Sequence, residues 1–561
     1  MEKEDYLLKL AKRYEGYPFS ETLSGIPIKE YYGPEDVKGI DYAQEIGDPG
    51  KYPFTRGIYE NMYRGKMWTK RVFCGLGAPQ DTNKRFKYLV SHGQTGLHVF
   101  ADTPTFTGLD PDHPIAKGHA GTTGISRCCL RDFKELFAGI PLTDMSISLI
   151  SEGYGGSVEY GCYLAYAEQA GYDLSRLIGS CVNDPLHSVD GLIPINCSEN
   201  LDLAVKLTVD VIEYSIKHTP RWHPVAFNAF DWSQKGANAY QEVAWLVGNM
   251  ITYFDHALER GLKIDDVAPR ANVFVLNSDY DFFESIAHFR AARKVWAKII
   301  KERYRAKDPR SMRLYLSAHT SGASLTAQQP VNNIVRTTLQ SLACVLGGLQ
   351  SFDPAGYDEA YFRLTEKSGL MSLNTHNIIA MESRVAAVAD PLGGSYFVEA
   401  LTAKLEEKIL EEVDKIESMG GMKKAISDGY IRSELGRGVV QAQKEVEEGK
   451  RVVVGVNDWI VPKESEIKIE MERDYPVEEQ LRIAEQREKE IRELKKRRDN
   501  AAREKALKHL FKEAQMGLKN NLIPAVIDAY KSEATLSEIV GYIRMAYGLS
   551  YDPFDLLQPP F

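Results

Sequence analysis

The chain has 561 residues, 43% hydrophobic and 26% charged, which excludes disorder and suits three or four domains or one large α/β barrel with appendages. Sixty-nine Lys and Arg against 78 Asp and Glu give a net charge of −9, so no basic field recruits nucleic acid or an anionic membrane, and any anionic ligand must be held locally. No apolar run reaches a membrane span, Met1-Glu2-Lys3-Glu4-Asp5 is not the start of a signal peptide, and seven cysteines without C-x-x-C signal neither disulfides nor zinc. A cytoplasmic protein with reduced thiols and no metal site is expected.

Residues 1–55 are rich in Tyr, Gly and Pro and read as an extended N-terminal arm. From residue 56 to 398, helical patterns alternate with short β-rich runs: Leu97–Asp102, Met145–Ser151, Leu177–Asn183, Val225–Phe230, Ala271–Asn277, Met312–Ser317 and Leu346–Phe352. The spacing leaves room for a crossover helix after each run, as in a parallel sheet. It predicts a (β/α)8 TIM barrel whose eighth strand lies near Ile378–Val388 or before Phe73. Residues 399–460 read as helices packing on the barrel, and 461–561 as a charged helical extension. Mixed signs such as Glu485-Gln-Arg-Glu-Lys-Glu-Ile-Arg-Glu-Leu-Lys-Lys-Arg-Arg498 indicate a solvated helix or coiled pair. The amphipathic stretch Ile523–Ala546 offers a face that could dock a partner.

The β runs end in Asp102, Ser151-Glu152, Asn183-Asp184, Asp231, Asn277-Ser278, His319 and Asp353. Helix capping accounts for any one of these, but together they describe a polar mouth on the face where barrel active sites lie. Several runs carry Ser, His and Asn inside the strand, where ordinary barrels pack Val, Ile and Leu, as if a ligand filled the interior.

The P-loop, nucleophile-elbow and zincin motifs are absent. The dense segment Tyr52–Phe73 instead mixes Arg56, Arg64, Lys66, Lys70 and Arg71 with Tyr59, Tyr63 and Trp68, a composition that can hold a nucleotide's phosphates and base. It resembles the CoA-binding segment of the coenzyme-B12-dependent acyl-CoA mutases, the methylmalonyl-CoA mutase family. Asp110-Pro-Asp-His-Pro114, Arg290-Ala-Ala-Arg293, Thr320-Ser-Gly322, Asn332-Asn-Ile-Val-Arg-Thr337 and Asp390-Pro-Leu-Gly-Gly-Ser-Tyr-Phe-Val-Glu399 extend the resemblance over roughly residues 45–460.

The resemblance implies a barrel with CoA threaded along its axis and the acyl group meeting adenosylcobalamin at the rim. Its CoA contacts fall on Tyr59, Met62, Lys66, Thr69, Arg71, Arg270 and Arg310. Lys66 replaces the usual Arg, keeping the charge but losing the bidentate fork. Cofactor-side positions fall on Ala101, Thr103, Gln234, Gly322, Glu359 and Ala360. The Asp-x-His-x-x-Gly of the family's cobalamin module does not occur in the sequence, so the resemblance implies a large subunit working with a separate small cobalamin-binding subunit, in a heterotetramer or around a homodimer of large subunits.

The acyl pocket departs from the family. The Arg that anchors methylmalonyl's carboxylate aligns with Leu192 or a neighbour, and burying a carboxylate without a cation costs several kcal/mol. The radical-shielding Tyr is Phe73, as in mutases of neutral branched acyl groups such as isobutyryl-CoA. Asp231 replaces a thioester-binding His, Val182 and His319 replace Gln, and Ala355 replaces Asn. Phe100 stands where 2-hydroxyisobutyryl-CoA mutases carry an Asp, which tells against that substrate. Asp231, His319 and Glu359, with Phe73, are the catalytic candidates, Asp231 and His319 recognising the acyl group or thioester with help from His223. The expected reaction is a radical 1,2-rearrangement of a neutral branched or bulky acyl-CoA. Alternatives are a substituted succinyl- or malonyl-CoA held through Arg64 or His319, and a non-catalytic CoA-binding scaffold. A scaffold would place no chemical demand on Thr69, Arg71, Glu359 or Asp390–Glu399.

Overall fold

The computed structural model describes residues 20–191, 198–361, 364–462, 467 and 473–561. Its strands are β1 (Thr69–Lys70), β2 (Gly96–Phe100), β3 (Ser146–Ile150), β4 (Gly179–Val182), β5 (Trp222–His223), β6 (Val225–Asn228), β7 (Ala271–Ser278), β8 (Leu316–Thr320) and β9 (Ser351–Asp353). All pair in parallel, in two arcs ordered β1-β9-β8-β7-β6 and β2-β3-β4-β5. The arcs adjoin at both ends. Thr95 N–H donates to Lys70 O at 3.1 Å, linking β1 to the start of β2. Pro224, which has no N–H to give a ladder, separates β5 from β6, so that one continuous run pairs with β4 through its first half and with β7 through its second. This is the strand order of an eight-stranded parallel barrel.

The eighth strand is the one before Phe73. Ile378 lies instead in the helix Glu366–Met381, followed by a 3-10 turn at Val385–Ala387. Two expected runs begin later than their β-rich composition suggested. Met312 closes a 3-10 turn and Leu346 closes the helix Asn332–Leu346.

Side-chain caps start the crossover helices. Asn200 accepts from Leu203 N–H before Leu201–His218, and Asp281 from Glu284 N–H before Phe282–Glu302, both at 3.0 Å. The helices lay their apolar stripes on the strands and bury Trp222, Trp245 and Trp296 completely. Arg290, buried on one of them, holds Asp390 at 2.7 Å and Glu399 at 2.6 Å. Arg56 reaches the same Asp390 at 3.0 Å, and Arg293 donates to Phe54 O and Thr55 O. These motif residues therefore tie the segment around residue 55 and the helix Tyr396–Ser418 to the barrel.

The C-terminal helices are also anchored. In Val477–Arg497, Ile483, Ala484, Arg487, Ile491 and Leu494 form a buried stripe, and Arg487 meets Asp132 at 2.7 Å with both side chains buried. The charged stretch is thus solvated on one face only. The amphipathic stretch divides into Ile523–Lys531 and Leu536–Ala546. Rather than offering a face to a partner, its apolar side is buried against the helix Gly153–Gln169. Gly161 makes room for this contact, since a Cβ there would come within 2.5 Å of Val526 Cγ1. Asp110 of the Asp-Pro-Asp-His-Pro motif accepts from Thr535 Oγ1 at 2.6 Å and pairs with Lys495 at 2.9 Å.

Candidate functional site

Alternation along the strands sorts the inward-facing residues into layers. Towards the N-terminal ends they are small or polar: Thr69, Ser146, Ser180, Asn272, Ser317 and Ser351 line a cavity of about 210 Å³. Ser148, in register with Ser180, shares a hydrogen bond of 3.1 Å with it. Towards the C-terminal ends, Phe73, Phe100, Ile150, Phe230 and Phe274 line a second cavity of about 570 Å³, together with Glu152, Asn228, Asp231, His319 and Glu359.

The lower cavity collects most of the residues expected to hold CoA. Tyr59, Lys66, Thr69 and Arg71 line it, and the Lys66 ammonium lies 5.7 Å from the Tyr59 ring centroid. Arg71 is buried, donating to Leu97 O at 3.0 Å and Ser146 Oγ at 2.7 Å. Burial pulls its guanidinium down to about 10, which leaves it cationic at neutral pH. Arg270 sits beside this end, where its carbonyl meets the ring of the cavity-lining His223 at 2.9 Å. Arg310 is exposed and paired with Asp308 at 2.6 Å. Met62 is buried next to Gly57 and does not line this cavity.

His223 belongs to this lower group, held neutral by burial with its pKa near 4. It does not join Asp231 and His319 as expected, because β5 carries it at the opposite strand end.

In the upper cavity, His319 is packed between the rings of Phe73 and Phe230, with centroids at 5.1 and 4.9 Å. Its Nδ1 lies 2.5 Å from Thr320 O, and because a carbonyl only accepts, Nδ1 carries a proton. Below it, His98 Nδ1 is 3.2 Å from Asp353 Oδ1. Burial holds His98 below its ordinary value, and the pull of the neighbouring histidines outweighs burial to lower Asp353. Val182 lies in the apolar cluster with Ile150 and Phe274. Leu192 lies outside the described residues.

Asp231 stands in the short helix after β6 with neighbours from three strand ends. Asn228 Nδ2 donates to Asp231 Oδ2 at 2.9 Å and to Glu152 Oε1 at 2.7 Å. His187, fully buried, lies with Nδ1 3.2 Å from Glu152 Oε2 and Nε2 3.5 Å from Asp231 Oδ2. Burial opposes a charge on His187, but Glu152, Asp231 and Asp184 together outweigh it and raise its pKa. Burial, with Glu152, raises the Asp231 carboxyl against the pull of His187. Burial also lifts Asp184, held by Asn249 and Tyr253, to about 6. His187 and Asn228 were not singled out from the sequence. The available signal was weak: His187 follows the polar pair Asn183-Asp184 by one helical turn.

At the rim, Gln234 Oε1 accepts from Ala323 N–H at 2.7 Å, and a Cβ on Gly322 would lie 2.7 Å from Glu359 Oε1. Thr103 and Thr123 hydroxyls meet at 2.9 Å. Ala360 is exposed, while Ala101 is fully buried and offers only its backbone. Small side chains with amide, hydroxyl and carboxylate groups between them suit a broad, amide-fringed ligand such as a corrin.

Parallel strands with a cavity at each end, Lys66 and Arg71 lining one and aromatic rings with carboxylates lining the other, define the class: a parallel α/β protein with space for a ligand at both strand ends. The chain belongs to the methylmalonyl-CoA mutase family, which it matches over residues 21–549. Members of this family are cobalamin-dependent acyl-CoA mutases, which are isomerases. The chain is 38% identical to the 2-hydroxyisobutanoyl-CoA mutase large subunit of Aquincola tertiaricarbonis, over 97% of this chain and 94% of that one. It is 33% identical to the methylmalonyl-CoA mutase of Cereibacter sphaeroides, over 94% of this chain and 72% of that one. The human mitochondrial methylmalonyl-CoA mutase is also 33% identical, over 94% and 68%. No helix among the described residues is long and apolar enough to cross a membrane.

Proposed function

We propose that the protein is the large subunit of an adenosylcobalamin-dependent acyl-CoA mutase that rearranges the carbon skeleton of a neutral branched or bulky acyl-CoA. In this reading it works in the cytoplasm with a separate small cobalamin-binding subunit. The observation that carries the substrate class is the upper cavity, where Phe73, Phe100, Phe230 and Phe274 surround the space with the buried Glu152 and His319 and the half-buried Asp231. Its lining cations among the described residues are Arg85, bound to Asp474, and the exposed Arg473. Neither is a buried partner for a malonyl or succinyl carboxylate, which would meet Asp231 and Glu152 instead.

CoA would enter at Lys66, Arg270 and Arg310, with Tyr59 beside its path, and run past Ser146, Ser180, Ser317 and Ser351. Gln234, Glu359 and Thr103 would hold the cofactor at the rim, and adenosylcobalamin when bound supplies a hydrogen-abstracting radical. Phe73, Phe100 and Phe230 would exclude water from the acyl group, and His319 Nε2 and Asp231 would orient it. The ion pairs of Asp390 and Glu399 show these residues to be structural, so they no longer weigh against a scaffold. The case for catalysis rests on the upper cavity and the rim.

The test is a panel of acyl-CoAs incubated with this chain, a small cobalamin-binding subunit and adenosylcobalamin. Isomerised neutral branched acyl-CoAs and untouched methylmalonyl-CoA are the expected result. Turnover of methylmalonyl-CoA alone would overturn the substrate class, and Asp231→Ala with unchanged turnover and substrate choice would remove Asp231 from the site.

A further inference from the structure

The Glu152–His187–Asp231 cluster has more organisation than a pocket wall requires. Glu152 and His187 are buried, while the Asp231 side chain is 24% exposed. Both hydrogens of the Asn228 amide are committed, one to each carboxylate. Ser188 Oγ donates to Glu152 Oε2 at 2.6 Å. The His187 ring therefore lies between two carboxylates with its orientation fixed from behind, and Nε2, which has no hydrogen-bond partner, faces Asp231. Asp231 Oδ2 is engaged by Asn228 and His187, and no described group hydrogen-bonds Oδ1.

An acceptor held rigidly beside four aromatic rings is made for a donor on an otherwise apolar group. A site built around a hydrogen bond discriminates strongly against ligands that lack it, because its own polar group is then left unpaired. Desolvation decides which donor. The groups facing Asp231 are Glu152, Asn228 and His187, and Lys235 nearby donates to Gly191 O. An ammonium on the ligand would have to leave water as an ion beside four phenyl rings, at a large cost, whereas a hydroxyl loses far less.

We propose that Asp231, positioned by His187, Glu152 and Asn228, accepts a hydrogen bond from a hydroxyl on the acyl group, so that the cavity selects a hydroxylated, bulky or aryl-bearing acyl-CoA. The inference rests on the acyl-CoA reading and narrows it. Asp231 is the specificity-determining residue, and His187 and Glu152 act through it.

The test is calorimetric binding to the full chain of three ligands: 3-hydroxy-3-phenylpropanoyl-CoA, 3-phenylpropanoyl-CoA and 3-amino-3-phenylpropanoyl-CoA. The hydroxy compound is expected to bind about tenfold or more tightly than the deoxy compound. That preference should vanish in Asp231→Leu, persist weakly in Asp231→Asn and shrink in His187→Gln. Equal binding of hydroxy and deoxy compounds by the wild-type chain overturns this proposal alone, a result independent of whether any variant folds. Tighter binding of the amino compound overturns the choice of a neutral donor. Failure of all three to bind would sink the acyl-CoA reading, and this proposal with it.

Discussion

Trp68 Nε1 donates to His376 Nδ1 at 3.2 Å, and His376 Nε2 lies 3.0 Å from Arg71 O. The indole can only donate, so Nδ1 carries the lone pair and Nε2 the proton. The ring is neutral and buried, and it joins the lower-cavity segment to the helix Glu366–Met381. Burial holds its pKa near 4. A histidine kept neutral by folding contributes stability that is complete above its unfolded value of about 6.5 and lost as pH falls towards the folded value. The gap corresponds to about 3 kcal/mol at most. The stability difference between wild type and His376→Gln should therefore narrow from pH 7.5 to pH 4.5 in urea titrations. A constant difference would show that His376 titrates normally.

Glu284 makes the opposite prediction. Burial lifts its carboxyl to about 7, so the group favours the folded state below its unfolded value of about 4.3 and this contribution is lost as pH rises through 7. Glu284→Gln should gain on wild type between pH 5 and 8. Thermal melts at these two pH values measure it.

Arg127 holds Glu159 through Nε at 2.7 Å and Nη2 at 2.9 Å, with both side chains buried, and also donates to Val99 O and Ile150 O. It thus braces the C-terminal ends of β2 and β3, which carry Phe100 and Ile150 into the upper cavity. Glu159→Gln leaves a buried guanidinium uncompensated and should cost about 3–5 kcal/mol. Equilibrium denaturation would read this directly.

At the lower cavity, Lys66→Ala should raise KM for acyl-CoA about tenfold with little change in kcat, the signature of binding lost equally from ground and transition states. Arg310→Ala should do less, because that guanidinium is exposed and already paired. Steady-state kinetics separate the two. A fall in kcat with KM unchanged would place Lys66 elsewhere in the reaction.

Gly322→Ala would push the new methyl against Glu359 Oε1. The carboxylate is the far end of a flexible side chain and can yield to a methyl, so folding should survive. Activity should drop, and more adenosylcobalamin should be needed for half-maximal turnover. Unchanged cofactor dependence would remove Glu359 from the rim.

The sequence by itself determined the parallel α/β alternation, the polar strand ends and the cation-rich segment around Lys66, because each is written in local periodicity and composition. It also determined which residues are unusual for a barrel interior, since Ser and His inside β runs stand out against Val and Ile. Only the tertiary structure decided that two residues, Thr69 and Lys70, complete the order of strands, because so short a run has no period to detect. It placed His223 at the opposite strand end from Asp231, although only seven residues separate them in the chain. It turned the amphipathic Ile523–Ala546 inward, since an apolar stripe specifies burial but not against what. And it brought Glu152, His187 and Asp231 together from three strand ends, a meeting that depends on how neighbouring strands pair and on no feature of any one of them.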